Sequence, residues 1–266
     1  MSGNAIELRQ VSKRYGAFQA LAPLDLTVPY GTVFGYLGPN GAGKTTTIRI
    51  MTGLLRPTTG SVSIGGWDVH RHPREARRLF SYIPDQGYLY PKMTARELLS
   101  FVGVVHDRSA PDPKAVEAAL DLVGLREWAD ELIEQYSYGM RQRLMFAMAH
   151  LRNTPVWIID EPIIGLDPLA VRMVKAWIRQ KAAQGHAVFL STHLLAIAEE
   201  ICDTVAVLHQ GRLVAVGTMD DLRRAAGAED RDLEAIFLRL TAEAEEDRSV
   251  GIFSGGTGRM GETSPV

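Results

Sequence analysis

Gly38-Pro-Asn-Gly-Ala-Gly-Lys-Thr-Thr46 is the stretch of sequence that decides the fold. An apolar run, 33–37, precedes it, and a helix-like segment, 45–55, follows it. This order of buried strand, glycine-rich loop and helix is the one that a phosphate-binding loop requires. The alternative, a glycine-rich turn that binds nothing, would need neither this spacing nor these flanks. The stretch therefore predicts that the chain binds a nucleotide.

The loop itself supplies the groups that hold phosphate. Its glycines let the backbone turn N–H groups inward, and the positive end of the following helix adds to this cradle. We expect Lys44 to reach the β- and γ-phosphates and the Thr45 hydroxyl to ligate Mg²⁺. The residues expected to contact the nucleotide are Gly38, Pro39, Asn40, Gly41, Ala42, Gly43, Lys44, Thr45 and Thr46.

The composition is that of an ordinary globular protein. The 266 residues are 46% hydrophobic, so the chain can bury a full core. The formal net charge is −2, so there is no excess of basic residues that would indicate nucleic-acid binding. The single cysteine, Cys202, excludes an intrachain disulfide framework. No apolar run approaches the roughly 18 residues of a membrane span, and the first residues lack a secretory signal. We expect a soluble, cytosolic chain whose membrane role comes through a partner.

Strand-like and helix-like segments alternate along the rest of the chain. Short alternating pieces over 5–37 predict strands and turns, and 60–69 predicts a hairpin turning at Gly65-Gly66. Helix starts are indicated by the capping box at Thr94, and by Asp-Pro pairs at Asp112 and Asp167.

These segments predict an α/β fold. Its parts are a P-loop NTPase (RecA-like) core, an antiparallel β subdomain flanking the nucleotide, and an inserted α-helical subdomain at about 87–152. We expect residues 1–244 to form one nucleotide-binding domain. The segment 245–266, rich in Gly, Ser and Thr, is predicted to be a flexible tail that catalysis does not need.

A basic segment lies between the predicted hairpin and the helical insert. It contains four arginines within nine residues: Arg71, Arg74, Arg77 and Arg78. Our first interpretation is a solvated helix face, and the second is a docking surface for a partner.

A second chemical signal is Val156-Trp-Ile-Ile-Asp-Glu-Pro162. A buried strand that ends in a carboxylate places Asp160 beside the phosphates, where it can hold the Mg²⁺ shell. Glu161 then projects toward the attacking water, as the candidate general base. The alternative is a turn with two solvent-exposed charges.

Two further side chains are candidates for the same site. His193 ends the next predicted core strand, and parallel strands deliver their carboxyl ends to a common crevice. It should therefore face the γ-phosphate and orient it by hydrogen bonding. Tyr15 lies in a loop upstream, where its ring could stack on a base or pack on the sheet edge.

With these motifs in order, the chain resembles the ATP-binding subunits of ABC transporters over roughly residues 5–240. Tyr136-Ser-Tyr-Gly-Met-Arg-Gln-Arg-Leu144 is similar to the family signature, commonly Leu-Ser-Gly-Gly-Gln. Ser137 and Gly139 remain from that motif, whereas Tyr138 and Met140 replace Gly and Gln. The resemblance implies that Ser137, Gly139 and Met140 contact ATP, that Tyr15 stacks on adenine, and that Glu161, His193 and Lys44 are the catalytic residues.

The segment Tyr82-Ile-Pro-Asp-Gln-Gly-Tyr-Leu-Tyr-Pro91 departs from the family pattern. Counting back from Leu89 puts Asp85 where the family usually has the Q-loop glutamine, and Gln86 follows it. Either Asp85 or Gln86 could reach Mg²⁺, and both stay open as metal ligands beside Thr45 and Asp160.

The resemblance also implies partners. The motifs are similar to the export-type, drug-resistance-like branch, so we expect an ATP- and Mg²⁺-dependent subunit that powers a membrane permease. Two copies would close head to tail around ATP as a homodimer, at the cytoplasmic face of the cell membrane, held there through the permease. The alternatives are a non-transport ABC ATPase that acts on nucleic acid or the ribosome, and a small-molecule kinase. We expect no nucleic-acid partner, because the chain has one nucleotide domain and no basic balance.

Overall fold

The computed structural model describes residues 3–107, 111–227 and 232–242. The tail predicted at 245–266 lies outside the described residues. Within them the strands are β1 (Asn4–Tyr15), β2 (Phe18–Pro29), β3 (Val33–Leu37), β4 (Thr59–Ile64), β5 (Trp67–Asp68), β6 (Phe80–Ile83), β7 (Val156–Asp160), β8 (Ala187–Thr192), β9 (Thr204–His209) and β10 (Arg212–Gly217).

The α-helices in the same part of the chain follow in order. They are α1 (Lys44–Met51), α2 (Pro73–Arg77), α3 (Ala95–Asp107), α4 (Pro113–Leu122), α5 (Tyr138–Arg152), α6 (Pro168–Ala183), α7 (Leu195–Ile201), α8 (Met219–Ala225) and α9 (233–242).

A six-stranded sheet forms the core, in the order β10-β9-β3-β8-β7-β6. All neighbours in it pair in parallel except β10, which pairs antiparallel with β9 at one edge. Every residue of β3, β7 and β8 is buried, because both faces of the sheet are covered. In β7, Trp157 and Ile159 join the hydrophobic cluster on the helical side. Val156 and Ile158 join the cluster on the other face, as the two-residue period of a strand requires.

A second, antiparallel sheet lies over the other face of the core. Its order is β2-β1-β4-β5, and its main hairpin pairs β1 with β2 from Asn4↔Pro29 to Tyr15↔Phe18. The hairpin predicted at Gly65-Gly66 is confirmed, with β4 and β5 on either side of the turn.

Helices α3, α4 and α5 form an insert between β6 and β7. Thr94 and Glu97 cap α3 reciprocally, each accepting the other's backbone N–H. The Asp112 carboxylate caps α4 through the Lys114 N–H, and Asp167 caps α6 through the Ala170 N–H, so the three predicted helix starts are confirmed. The parallel core, antiparallel sheet and helical insert confirm the predicted fold class.

The structure corrects the predicted helix over 45–55, which ends at Met51. The amides of Leu54 and Leu55 both donate to the Arg49 carbonyl, so the chain turns away before Pro57. Helix α8 was not predicted, although Thr218 and Asp221 form a capping box at its start. The aspartate at its third position is a less usual capping partner than glutamate or glutamine.

Candidate nucleotide-binding site

The carboxyl ends of β3, β7 and β8 bring the predicted motifs to one edge of the core sheet. Together with the tip of the β1–β2 hairpin they line a cavity of about 700 Å³, which we call the nucleotide cavity. Its lining includes most predicted site residues: Tyr15, Pro39, Asn40, Gly41, Gly43, Lys44, Thr45, Thr46, Asp85, Gln86, Asp160, Glu161 and His193.

Gly38 and Ala42, also predicted to contact the nucleotide, shape the loop from behind. A Cβ at Gly38 would lie 2.3 Å from the Leu208 carbonyl oxygen, so only glycine fits between β3 and β9. Gly43 sits immediately before α1 with φ of 109°, a conformation that L side chains rarely adopt. The first turn of α1 therefore points its N–H groups at the cavity.

Lys44 lies at the floor of the cavity and is buried. Its ammonium donates to the carbonyl oxygens of Gly38, at 2.6 Å, and Pro39, at 3.3 Å. It also forms an ion pair with Glu161, whose Oε1 is 3.2 Å from Nζ. The same Oε1 lies 3.0 Å from Nδ1 of His193, and Oε2 accepts the His193 backbone N–H at 3.3 Å. The three predicted catalytic residues thus form one connected cluster.

The backbone holds Glu161 in an unusual conformation. Its φ is 47°, in the left-handed region that residues with a Cβ seldom occupy. Its N–H donates to the Ser191 carbonyl at 3.1 Å, which ties the turn after β7 to β8. The carboxylate is therefore turned toward Lys44 and His193 at a cost in backbone strain, a feature that clusters at functional sites.

Asp160 ends β7 and is buried beside β8. Its Oδ1 accepts a hydrogen bond from the Ser191 hydroxyl. Burial raises the pKa of the Asp160 carboxyl, and the nearby carboxylates of Glu161 and Asp85 raise it further, whereas the bond from Ser191 opposes the shift. A cation at this point would favour the charged form.

Asp85 and Gln86 both line the cavity, so the structure keeps both candidates for the Q-loop role. Asp85 is half-buried and Gln86 is exposed. Burial raises the pKa of Asp85, and the Glu161 charge adds to this effect. Both side chains offer an oxygen atom to the site.

The outer end of the cavity is aromatic. Tyr15 is half exposed there, with the Lys13 ammonium 5.1 Å from the centre of its ring. Phe18, which pairs with Tyr15 across the two-residue turn and is 67% exposed, lines the same wall and was not predicted. The signal for Phe18 was its position directly after the Gly16-Ala17 turn, which returns the chain beside Tyr15.

The signature residues Ser137, Gly139 and Met140 do not line the nucleotide cavity. Ser137 is exposed and caps α5 through the Met140 N–H, at 3.3 Å. Tyr138 points back toward the site, with its hydroxyl donating to the Asp85 carbonyl at 3.2 Å. Its ring also packs closely against Gly165. The contact of the signature residues with ATP stays a prediction.

The donor set fits Mg²⁺. The hydroxyl of Thr45, the carboxylates of Asp160 and Asp85 and the amide of Gln86 face one cavity, and hard oxygen ligands are those that Mg²⁺ prefers. Within the described residues no group of three or more His, Cys, Asp or Glu could hold a metal by itself.

The parallel sheet, the glycine loop at its edge and the acidic strand end together define a P-loop nucleoside triphosphatase. Comparison with known proteins then gives the family. The family model described as "ABC transporter" matches residues 21–164. The chain belongs to the ABC transporter ATP-binding subunits, which confirms the resemblance drawn from its motifs.

Relatives and solved structures agree with this assignment. The chain is 33% identical over 239 residues to the ABC-type transporter ATP-binding protein EcsA of Bacillus subtilis, covering 90% of this chain and 97% of that protein. It is 36% identical to the daunorubicin resistance ATP-binding protein DrrA3 of Streptomyces coeruleorubidus, covering 88% and 74%. A solved ATP-binding subunit of an ABC transporter superposes with a TM-score of 0.84 at 35% identity, covering 89% and 99%.

A further solved cassette shares the fold at 24% identity, with a TM-score of 0.72 and coverage of 80% and 98%, and is a dimer bound to ADP and phosphate. Membership of the family, shown by the family model and by relatives above 30% identity, makes the chain an ATP-binding and ATP-hydrolysing subunit whose reaction is coupled to transport. No helix within the described ranges has both the length and the apolar character needed to cross a membrane.

Proposed function

We propose that two copies of this chain close head to tail around ATP and drive a separate membrane permease in the direction of export. One observation supports the dimer. Ser137, Gly139 and Met140 lie outside the nucleotide cavity, which most of the other predicted site residues line. The start of α5, with its own free N–H groups, is a second helix terminus suited to anions. A second copy would bring that terminus to the open side of the nucleotide.

The residues of the nucleotide cavity divide the work of hydrolysis. Lys44 would bind the phosphates, and Glu161, bonded to His193, would accept the proton of the attacking water. His193 would hold Glu161 in place and contact the γ-phosphate. Mg²⁺, held by Thr45, Asp160 and a residue of the Asp85-Gln86 pair, would neutralise charge that develops on the phosphates.

An apolar groove beside the nucleotide cavity is the proposed docking site for the permease. The groove has a volume of about 310 Å³ and lies where α3 and α5 of the helical insert meet β6. Tyr82, Pro84 and Tyr88 line both the groove and the nucleotide cavity. One segment of chain thus separates the two, so a shift at the nucleotide can reach the permease through that segment.

Two further proposals concern the wider setting. The proteins named for daunorubicin resistance and for bacitracin transport are both similar to this chain, at 36% and 34% identity, which supports export of a drug-like or antibiotic cargo. We also propose that residues 1–244 act as one nucleotide-binding domain, held at the cytoplasmic face of the membrane by its permease.

Concentration dependence of the purified chain tests this function. If ATP lies between two chains, the hydrolysis rate per chain should rise with protein concentration. Lys44→Ala should abolish hydrolysis, whereas Lys114→Ala, at an exposed lysine of α4, should leave it unchanged. A monomer whose rate per chain is constant over the whole concentration range would contradict the shared site.

A further inference from the structure

The groove continues into a second cavity. That cavity has a volume of about 600 Å³, and it shares Arg77, His106 and Arg152 with the groove. The Arg152 guanidinium donates to the Arg77 carbonyl at 2.9 Å, which ties the end of α5 to α2. We call the two together the docking groove.

The charged side chains that line the docking groove in the described part of the chain are of one sign. They include four arginines and no aspartate or glutamate, although the whole chain carries a net charge of −2. Arg74, Arg77 and Arg78 are exposed, and none of them forms an ion pair within the described residues. Glu75, on the same short helix, lines neither cavity.

The floor of the docking groove is apolar. Val102 of α3 and Met145, Met148 and Ala149 of α5 line it, and Leu54, 67% exposed, stands at its side. Methionine side chains adapt to an incoming surface, and a groove of this kind receives the apolar face of an amphipathic helix. A helix is about 10–12 Å across with its side chains, so the volume accepts the side chains of one helix face rather than a whole helix.

We propose that the permease segment received here is an amphipathic helix with an apolar ridge flanked by carboxylates, which face Arg74, Arg77 and Arg78. This inference rests on the proposed function and states the chemistry of the partner. A recessed apolar floor beside the arginines favours a protein segment, because anionic lipid headgroups would need the arginines alone. It also selects the second of the two interpretations of the basic segment, the docking surface.

Synthetic peptides can test whether carboxylates beside the apolar ridge favour binding to the docking groove. Three helical peptides of about 20 residues would share one leucine ridge and carry glutamate, glutamine or lysine on its flanks. Binding to the full chain would be followed by fluorescence anisotropy at low and high salt. We expect the glutamate peptide to bind about tenfold more tightly than the glutamine peptide at low salt, and this preference to shrink as salt is added.

Two variants separate charge from apolar contact. The triple variant Arg74→Glu, Arg77→Glu, Arg78→Glu should reverse the preference in favour of the lysine peptide. Leu54→Gln should weaken all three peptides to a similar degree, since it removes apolar surface and no charge. Circular dichroism would confirm that both variants are folded.

Several outcomes would overturn the inference. They are equal binding of the glutamate and lysine peptides, absence of binding by any peptide, and a triple variant that keeps the original preference. Co-sedimentation of the wild-type chain, but not the triple variant, with phosphatidylglycerol vesicles, in the absence of peptide binding, would assign the arginines to lipid instead. None of these arginines lines the nucleotide cavity, so ATP hydrolysis by the triple variant should equal that of the wild type. A failure here is therefore distinct from a failure of the proposed function, which the Lys44→Ala variant tests.

Discussion

The Lys44 ammonium and the Glu161 carboxylate are bound to each other at the floor of the nucleotide cavity, with Nζ 3.2 Å from Oε1. Both side chains are buried, so little water screens the pair. Phosphate and Glu161 would therefore compete for Lys44. When phosphate takes the lysine, the Glu161 carboxylate would keep His193 as its partner.

Glu161→Gln should separate ATP binding from hydrolysis. The amide cannot accept the proton of the attacking water, so we expect hydrolysis to fall by about 10²–10⁴-fold. It also no longer holds Lys44 by charge, so the affinity for ATP should rise rather than fall. Phosphate release and calorimetric titration measure the two effects, and size-exclusion chromatography with ATP should show a stable dimer. Asp130→Asn, at an exposed carboxylate of the helical insert, is the control. Rapid turnover by Glu161→Gln would remove Glu161 from the role of base.

Ser137→Arg and Lys44→Ala should complement each other in trans. Each variant alone lacks one half of every site. In a mixed dimer one site is complete, because the Ser137→Arg chain supplies Lys44 and the Lys44→Ala chain supplies Ser137. An equal mixture should therefore recover hydrolysis, up to about a quarter of the wild-type rate, because about half of the dimers are mixed and one site in each is intact. Gln184→Arg, which adds the same charge at an exposed position, controls for the arginine itself. A mixture as inactive as its components would contradict the shared site.

Tyr138→Phe should show whether the start of α5 positions the Q-loop segment that contains Asp85. The change removes the hydroxyl that donates to the Asp85 carbonyl but keeps the ring against Gly165. A hydrogen bond of this kind contributes about 0.5–1.5 kcal/mol, so we expect kcat to fall by about two- to tenfold with KM nearly unchanged. Tyr90→Phe, at an exposed tyrosine that lines neither the groove nor the nucleotide cavity, should have no effect on hydrolysis by the isolated chain. If Tyr138→Phe matches the wild type and only Tyr138→Ala is impaired, the ring rather than the bond positions the loop.

Lys181 should make the stability of the fold depend on pH. It is buried, with Nζ 2.7 Å from Oδ1 of Asn153 and 5.2 Å from the centre of the Trp157 ring. Burial lowers the pKa of Lys181 from 10.5 to about 8. Between these values the unfolded chain binds more protons than the folded chain, so the Lys181 contribution to the free energy of unfolding rises as the pH rises.

Lys181→Met should remove this contribution. Relative to the variant, the wild type should gain about 2 kcal/mol between about pH 7.5 and about pH 9.5, as measured by urea unfolding at each pH. Lys114→Met is the matched control, because Lys114 is exposed. Parallel pH profiles for the wild type and Lys181→Met would show that Lys181 has an ordinary pKa.

The sequence predicts the parts of the site that depend on local spacing. The glycine loop, Asp160 and His193 each end a recognisable buried strand, and parallel strands must deliver them to one edge. The pairing of Lys44 with Glu161 could not be predicted, because it depends on how far the turn after β7 rotates the carboxylate, and the left-handed φ of Glu161 sets that rotation.

Contacts between segments that are distant in the chain also could not be predicted from the sequence. Phe18 reaches the nucleotide cavity through the register of the β1–β2 hairpin, and Tyr138 reaches Asp85 because α5 packs beside the loop after β6. Phe18 belongs to no motif, and although Tyr138 lies in the signature segment, nothing in the sequence pairs it with Asp85. The arginines of α2 were visible as a basic run, but only the fold shows that they border an apolar floor.

Tyr82, Pro84 and Tyr88 are the described residues that line both the groove and the nucleotide cavity, so the rest of the groove offers small molecules a surface that ATP does not occupy. A compound lodged on the groove side would not share a binding site with ATP, so a rise in cellular ATP would not displace it. Such an inhibitor would block docking of the permease and leave ATP hydrolysis intact. Resistance to it would arise in the groove rather than in the phosphate loop.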